Sequence, residues 1–400
     1  RMANTLEHYY PFVSKTLQAA PGKCPLILDT QRAHSNGYTN FGPSRMRIYT
    51  FPAQDYSYSG DGIDWLSGVS IHEFRHVVQY AKLAQHGLGE FAMELGSPLL
   101  IPMVGHIAVP RWMFEGDAVG IETVLTNSGR GRLPYFSTLY RANLLERGGF
   151  SYYKQLCGSY KHKMSGPYKL GYYLTTYLRR KYGAQSLADV LWYITWGVPL
   201  PLAVQLSTGK GLLAIYRETN QELKALWEQQ LEGLSFTSAE CLHRHKKDNY
   251  VDYHAPQPYH KGGIVALKGS PSFLGHLVWV DDQKREKKLC TPRLIESEIG
   301  FSMAKDRIVW AEEVAYPFKL KKKNVDTWCE DTIDTWEATY SYSVIRCYNL
   351  STRRQTTLTP KGRYGTAALS PDAAKVVAVE SDKSYNHAIV TLDANTGQVL

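Results

Sequence analysis

His72-Glu73-Phe74-Arg75-His76 reads His-Glu-x-x-His within a stretch of helical patterning that runs over residues 64–85. Residues four apart share one face of a helix, so both imidazoles can converge on a single metal ion. Zinc favours neutral imidazole and carboxylate ligands, and catalytic sites hold it with three protein groups and leave the fourth position to water. Glu73 stands one residue on, rotated by about 100° around the axis. From there it reaches the water rather than the metal, which is the place of a general base.

Two histidines need a third ligand. Trp112-Met113-Phe114-Glu115-Gly116 supplies a carboxylate 39 residues after His76. Pro110 suits the first turn of a new helix, and Met113, Val119 and Leu125 continue at helical intervals. Glu115 and Glu122, two turns apart, fall on one face. One carboxylate can meet the metal while the other orients a ligand histidine. Two imidazoles and one carboxylate leave zinc with a net charge of about +1, which keeps it a good Lewis acid.

His-Glu-x-x-His, then Trp-x-x-Glu-Gly and a further Glu seven residues on, resembles the gluzincin metallopeptidases, the clan of thermolysin and aminopeptidase N. The likeness covers about residues 30–235 and is closer to the peptidase-MA-like proteins of gut and environmental Bacteroidetes, where such a domain precedes a β-propeller. The gap from second His to Glu ligand is usually shorter in those peptidases. Glu94 lies 18 residues after His76, at the aminopeptidase spacing, but lacks the preceding Trp and the Gly directly after it. Glu115 is preferred and Glu94 is its rival. The resemblance implies a thermolysin-like, mainly helical α+β domain with one Zn2+ per chain, a peptide or protein substrate, and a periplasmic or secreted location. It also implies an oxyanion donor. Pro167-Tyr168-Lys169-Leu170-Gly171 is similar to a Pro-Tyr-x-x-Gly segment whose tyrosine fills that role, and a phenol of pKa about 10 stays protonated at neutral pH. Tyr172, one turn further, is the rival. In gluzincins an edge strand of the N-terminal sheet pairs with substrate; residues 45–51 are the candidate, with an interior strand as the other reading.

The elements that must position these residues follow from periodicity. Residues 25–30 and 45–51 read as strands on either side of a turn signal at Ser35-Asn36-Gly37. Helical patterning continues to about Glu232, in segments 134–156, 167–182, 187–196 and 211–231. After His245 the pattern changes to period two, with short strands at 264–267, 277–280, 308–311, 344–350, 376–379 and 389–393. A repeat runs through that half. Ser302 and Ser370 are 68 apart, as are Asp281 and Asn349, while Asn349 to Asp393 is 44. A blade of about 40–45 residues, with an insertion over 312–340, accounts for both spacings. The expected organisation is a peptidase domain at 1–247, a Tyr/His/Pro-rich linker at 248–261, and an incomplete β-propeller of two to three blades at 262–400. A small β-sandwich is the alternative for the last part.

Composition sets the outer bounds. Four hundred residues with 44% hydrophobic content suit two globular domains, and no apolar run reaches the length of a membrane span. The net charge of +9 comes from short runs such as 284–288 and 319–323 that lack a nucleic-acid motif, so solvated loops are expected and no nucleic-acid partner. Leu206-Ser207-Thr208-Gly209-Lys210-Gly211 fails as a phosphate loop, and Cys241-x-His243-x-His245 has no second half with which to bind a metal. Six cysteines without Cys-x-x-Cys spacing indicate neither a zinc ribbon nor a disulfide scaffold. The function expected is zinc-dependent peptide hydrolysis. Its competitors are a catalytically silent zinc site beside a propeller that binds protein partners, and hydrolysis of a non-peptide substrate.

Overall fold

The computed structural model describes residues 2–30, 35–41, 44–51, 65–97, 100–127, 129–242, 249–292, 300–315, 341–359, 362–382 and 386–400. The chain forms two compact units. One comprises Arg1–Leu28, Asn36–Ile48 and Tyr56–Ser238, and the other Asp29–Ser35, Tyr49–Asp55 and Ala239–Leu400. The boundary thus falls at Ser238, ahead of the expected residue 247, and two short N-terminal segments group with the second unit.

The first unit is built around the helix Trp65–Ala84, buried on nearly all sides: Ile71, Val77 and Val78 are apolar core, while His72, Glu73, Arg75 and Gln79 are polar and equally enclosed. A helix that buries polar groups must give each a partner, and such groups mark a site or a hub. Arg111–Leu125 and Gly166–Tyr182 pack against each other more extensively than any other helix pair. Glycine permits that approach. A Cβ on Gly171 would stand 1.7 Å from the Trp112 carbonyl oxygen, and one on Gly116 would stand 2.0 Å from the Gly171 carbonyl carbon. The Gly after Glu115 and the Gly three residues after Tyr168 are therefore two sides of one backbone contact.

Residues 134–156 are two helices rather than the one expected, Pro134–Arg147 and Tyr152–Cys157. Gly148 and Gly149 both take the left-handed conformation, with φ of 70° and 81°, and close the first helix on the Asn143 carbonyl. Helices Met2–Lys15, Gly87–Glu94, Leu100–Ala108 and Leu200–Thr208 add to those expected. The N-terminal sheet has the order Leu26–Asp29, Arg45–Tyr49, Gly37–Asn40. Arg45–Tyr49 is central and carries the buried Met46 and Ile48. The candidate edge strand at 45–51 is thus an interior one, and Gly37–Asn40 is an edge strand among the described residues. It lies along the central helix because Gly37 has no side chain to meet Val69 and Glu73.

Among the described residues, the second unit contains three successive antiparallel sheets. Asp252–Pro258, Ile264–Ser270, Phe273–Val280 and Glu286–Lys288 form the first in chain order, and Ser302–Ala304, Arg307–Ala315, Ser341–Asn349 and Arg354–Thr357 the second. Tyr364–Leu369, Lys375–Ser381 and His387–Asp393 form the third. Neighbouring sheets share cores: Leu267 and Leu277 with Ile308 and Trp310, then Val309 and Ile345 with Val376 and Leu392. The stretch expected as a linker contains a strand, since 252–258 pairs in register with 264–269. Its period-two pattern is interrupted at a bulge between His254 and Gln257, where Ala255 takes a φ of 48°.

The repeat positions occupy equivalent turns. Asp281, Asn349 and Asp393 each end or directly follow the third strand of their sheet, and each side chain accepts a backbone N–H from two or three residues on. Lys305 and Ala373, 68 residues apart, both have positive φ in the turn before a strand. Of the expected insertion at 312–340, residues 312–315 belong to the strand Arg307–Ala315; residues 316–340, with the run at 319–323 and Cys329, lie outside the described residues, as do His243 and His245. Among the described residues, Cys24, Cys157, Cys241, Cys290 and Cys347 form no disulfide. Among the described residues no helix is long and apolar enough to cross a membrane.

Candidate metal centre

His72 and His76 project from consecutive turns of the central helix, with their Nε2 atoms 3.2 Å apart. Glu115, from the helix Arg111–Leu125, brings Oε2 to 3.4 Å from His72 Nε2 and 3.5 Å from His76 Nε2. Three ligands around one zinc at 2.0–2.1 Å would stand about 3.3–3.4 Å apart, the edge of a regular tetrahedron. The three donor atoms therefore fit a zinc ion without rearrangement. Glu115 Oε2 is also a buried carboxylate oxygen that accepts no hydrogen bond among the described residues. Such an atom is costly unless a cation meets it.

A carboxylate oxygen of Glu73 also lies within 4.8 Å of both imidazoles, so two glutamates compete for the role of ligand. Their surroundings separate them. Thr39 Oγ1, from the edge strand, donates to Glu73 Oε2 at 3.0 Å and to the Glu73 carbonyl at 2.9 Å. That leaves Glu73 engaged at one oxygen, while Glu115 Oε2 faces only the two imidazoles. Glu115 Oε2 thus stands close to both imidazoles without another partner among the described residues, while Glu73 stands beside them already engaged by Thr39. Glu94 is exposed at the end of the helix Gly87–Glu94.

Behind His72 stands Glu122, with Oε2 at 2.9 Å from Nδ1. Arg130 braces that carboxylate through Nε at 2.6 Å, Nη2 at 2.8 Å and its backbone N–H at 3.2 Å. Arg130 Nη2 is also 2.8 Å from His72 Nδ1. With Nε2 turned to a metal, Nδ1 carries the ring proton and donates it to Glu122. Burial works to raise the Glu122 carboxyl, and Arg130 together with His72 outweighs it to bring the group down to about 2. Burial and Arg130 push the His72 imidazolium down, yet Glu115 and Glu122 outweigh them and raise it to about 9. Glu115 is held well below the usual carboxylate range, because His72 and His76 overcome its burial. The pocket is arranged to hold a positive charge between two imidazoles and one carboxylate.

Tyr168 enters from the helix Gly166–Tyr182, and its ring stacks on His72 with centroids 6.2 Å apart. Arg111 Nη2 lies 3.4 Å from the phenol oxygen while Arg111 Nε donates to Glu115 Oε1 at 3.2 Å. The Arg130 guanidinium also lies over the ring, at 5.1 Å. Tyr172 is directed elsewhere, against Gly131 and Phe136. Arg130 and Thr39 escape sequence reasoning, since each arrives through the tertiary fold. The one local hint is Gly129, whose missing side chain lets the chain double back on Thr123 and deliver Arg130 to Glu122. Compared with known protein families and with curated proteins, the chain finds no match.

Proposed function

We propose that the helical unit is a zinc-dependent peptidase of gluzincin type, held by His72, His76 and Glu115. The observation that carries this reading is the triangle of donor atoms at 3.2, 3.4 and 3.5 Å with an orphaned carboxylate oxygen at one corner. A zinc ion bound there would supply a Lewis acid and would make water a stronger nucleophile at neutral pH. Everything else is done by the chain. With Oε2 engaged by Thr39, Glu73 has Oε1 to take a proton from the attacking water and pass it to the leaving amine. Tyr168 donates its phenolic proton in a hydrogen bond to the oxygen that becomes negative as the carbonyl is attacked. The edge strand Gly37–Asn40, which adjoins Glu73, offers backbone groups to an extended peptide. The three meanders of the second unit we infer to be consecutive propeller blades, on their equivalent Asx turns and shared cores; a protein partner would be their natural ligand. A periplasmic or secreted location goes with the peptidase reading.

Purified protein is expected to carry about one zinc per chain. Glu73→Gln keeps volume and ligands, so zinc stays and hydrolysis of a mixed peptide library falls by roughly a thousandfold or more. Glu115→Ala loses both. Wild-type protein with zinc but no hydrolysis favours the silent-site reading. Full zinc occupancy in Glu115→Ala removes the ligand assignment.

A further inference from the structure

His76 is held by a part of the molecule that the proposed chemistry does not use. Its Nδ1 lies 2.7 Å from Gln79 Oε1, and Gln79 Nε2 lies 2.7 Å from Asp117 Oδ2 and 3.0 Å from the Phe114 carbonyl oxygen. Gln79 and Asp117 are 1% and 2% exposed, so water competes for none of these bonds. The oxygen and nitrogen of an amide are alike in shape but opposite in hydrogen bonding. Turned over, the Gln79 carbonyl would face two oxygen acceptors. Asp117 and Phe114 therefore fix the amide with its oxygen toward His76. Asp117 cannot turn either: Arg75 Nε and Nη2 donate to it at 2.8 and 3.1 Å, and Arg179 donates as well. Arg75, fully buried, is anchored in turn on the Val13 carbonyl. An amide oxygen can only accept, so the His76 ring must carry its proton on Nδ1. The lone pair then sits on Nε2, the atom that faces His72 and Glu115.

We propose that Gln79, anchored on Asp117, is a positioning residue that sets the tautomer and ring orientation of His76. This deepens the metal-site reading and rests on it for its consequence. The two histidines are oriented by different means, His72 by a carboxylate and His76 by a neutral amide. A second carboxylate behind the ligands would add negative charge to the site and weaken the Lewis acid. A glutamate at position 79 would also face Asp117 across hydrogen-bond distance, and the two carboxylates would repel.

The test uses the full chain and Gln79→Met, which keeps length and apolar volume but removes all three side-chain hydrogen bonds. Zinc affinity is measured by competition with a chromogenic chelator. The histidine tautomers are read from side-chain 15N chemical shifts of the zinc-free protein under mildly alkaline conditions. The expected result is a zinc affinity about 10–100-fold weaker in the variant, with His76 changing from the Nδ1–H form to a mixture while His72 is unchanged. A residue that merely fills space would move neither readout. Unchanged affinity together with an unchanged His76 tautomer overturns the proposal. Where Gln79→Met does not fold, the wild-type spectrum decides alone, because an Nε2–H form at His76 contradicts the relay. Wild-type protein that shows the Nδ1–H form yet binds no zinc supports the relay and counts against the metal reading.

Discussion

Asp117 in the helical unit and Asp306 in the sheet unit do the same job in different surroundings. Asp117, 2% exposed, on the helix Arg111–Leu125, gathers Arg75 and Gln79 from the central helix and Arg179 from the helix Gly166–Tyr182. Asp306, with a side chain 28% exposed, gathers Tyr259 and Lys261 from the first sheet and Ser351 from the end of the second. Each carboxylate ties three segments together. What differs is the solvent. A buried ionic hub is costly to assemble and more costly to break, whereas an exposed one exchanges its partners for water at little loss. The buried hub stands two hydrogen bonds behind His76, with Gln79 between them. The exposed kind secures a turn where one sheet meets the next.

Three substitutions, with a fourth as a control, can break or sharpen that contrast. Asp117→Ala leaves Arg75 buried without its carboxylate and is expected to lower stability by about 3–5 kcal/mol in urea denaturation. A loss below about 1 kcal/mol would make the two hubs equivalent and end the comparison. Gly171→Ala puts a methyl group into the Trp112 carbonyl, so the two helices must separate; a loss of about 2–3 kcal/mol is expected, with reduced hydrolysis as Tyr168 moves. Gly22→Ala, with open space around it, is the control that should be near neutral. Asp306→Asn is the smallest effect, about 1 kcal/mol at neutral pH. It also carries a pH signature. Burial works to raise the Asp306 carboxyl, but hydrogen bonds from Tyr259, Lys261 and Ser351 outweigh it and hold the group at about 2. A depressed carboxylate contributes stability above its unfolded pKa of about 3.9. That contribution is lost as pH falls toward about 2. The difference in Tm between wild type and Asp306→Asn should therefore shrink over that window, and a constant difference would assign the effect to packing.

How much of this is legible in the sequence depends on distance along the chain. His72, Glu73 and His76 are legible because helix geometry is local and four residues make one turn. Glu122 follows from Glu115 by the same rule. Gln79 stands three residues after His76 on the same helix and was within reach of that reasoning, yet nothing in its residue type announced a role. Arg130 and Thr39 meet the site only after chain reversals that leave no periodic trace. In the sheet unit, the strand Asp252–Pro258 is hidden because its bulge breaks the alternation that marks a strand, and its Tyr, His and Pro content resembles a loop. The helix break at Gly148-Gly149 was written plainly in two adjacent glycines, but the apolar spacing on either side outweighed it.

The meeting of Gly116 with Gly171 has a consequence for how such a site can change. Where side chains separate two helices, selection can widen or narrow the gap by trading large residues for small ones. Here backbone rests on backbone, so the spacing between the helix that carries Glu115 and the helix that carries Tyr168 has no remaining adjustment. Adaptation to a different substrate has to work through groups that are free to vary, such as Arg111, whose side chain is 68% exposed beside both residues. In the proposed peptidase, that spacing would be set by backbone contact alone, and variation would be left to the rim.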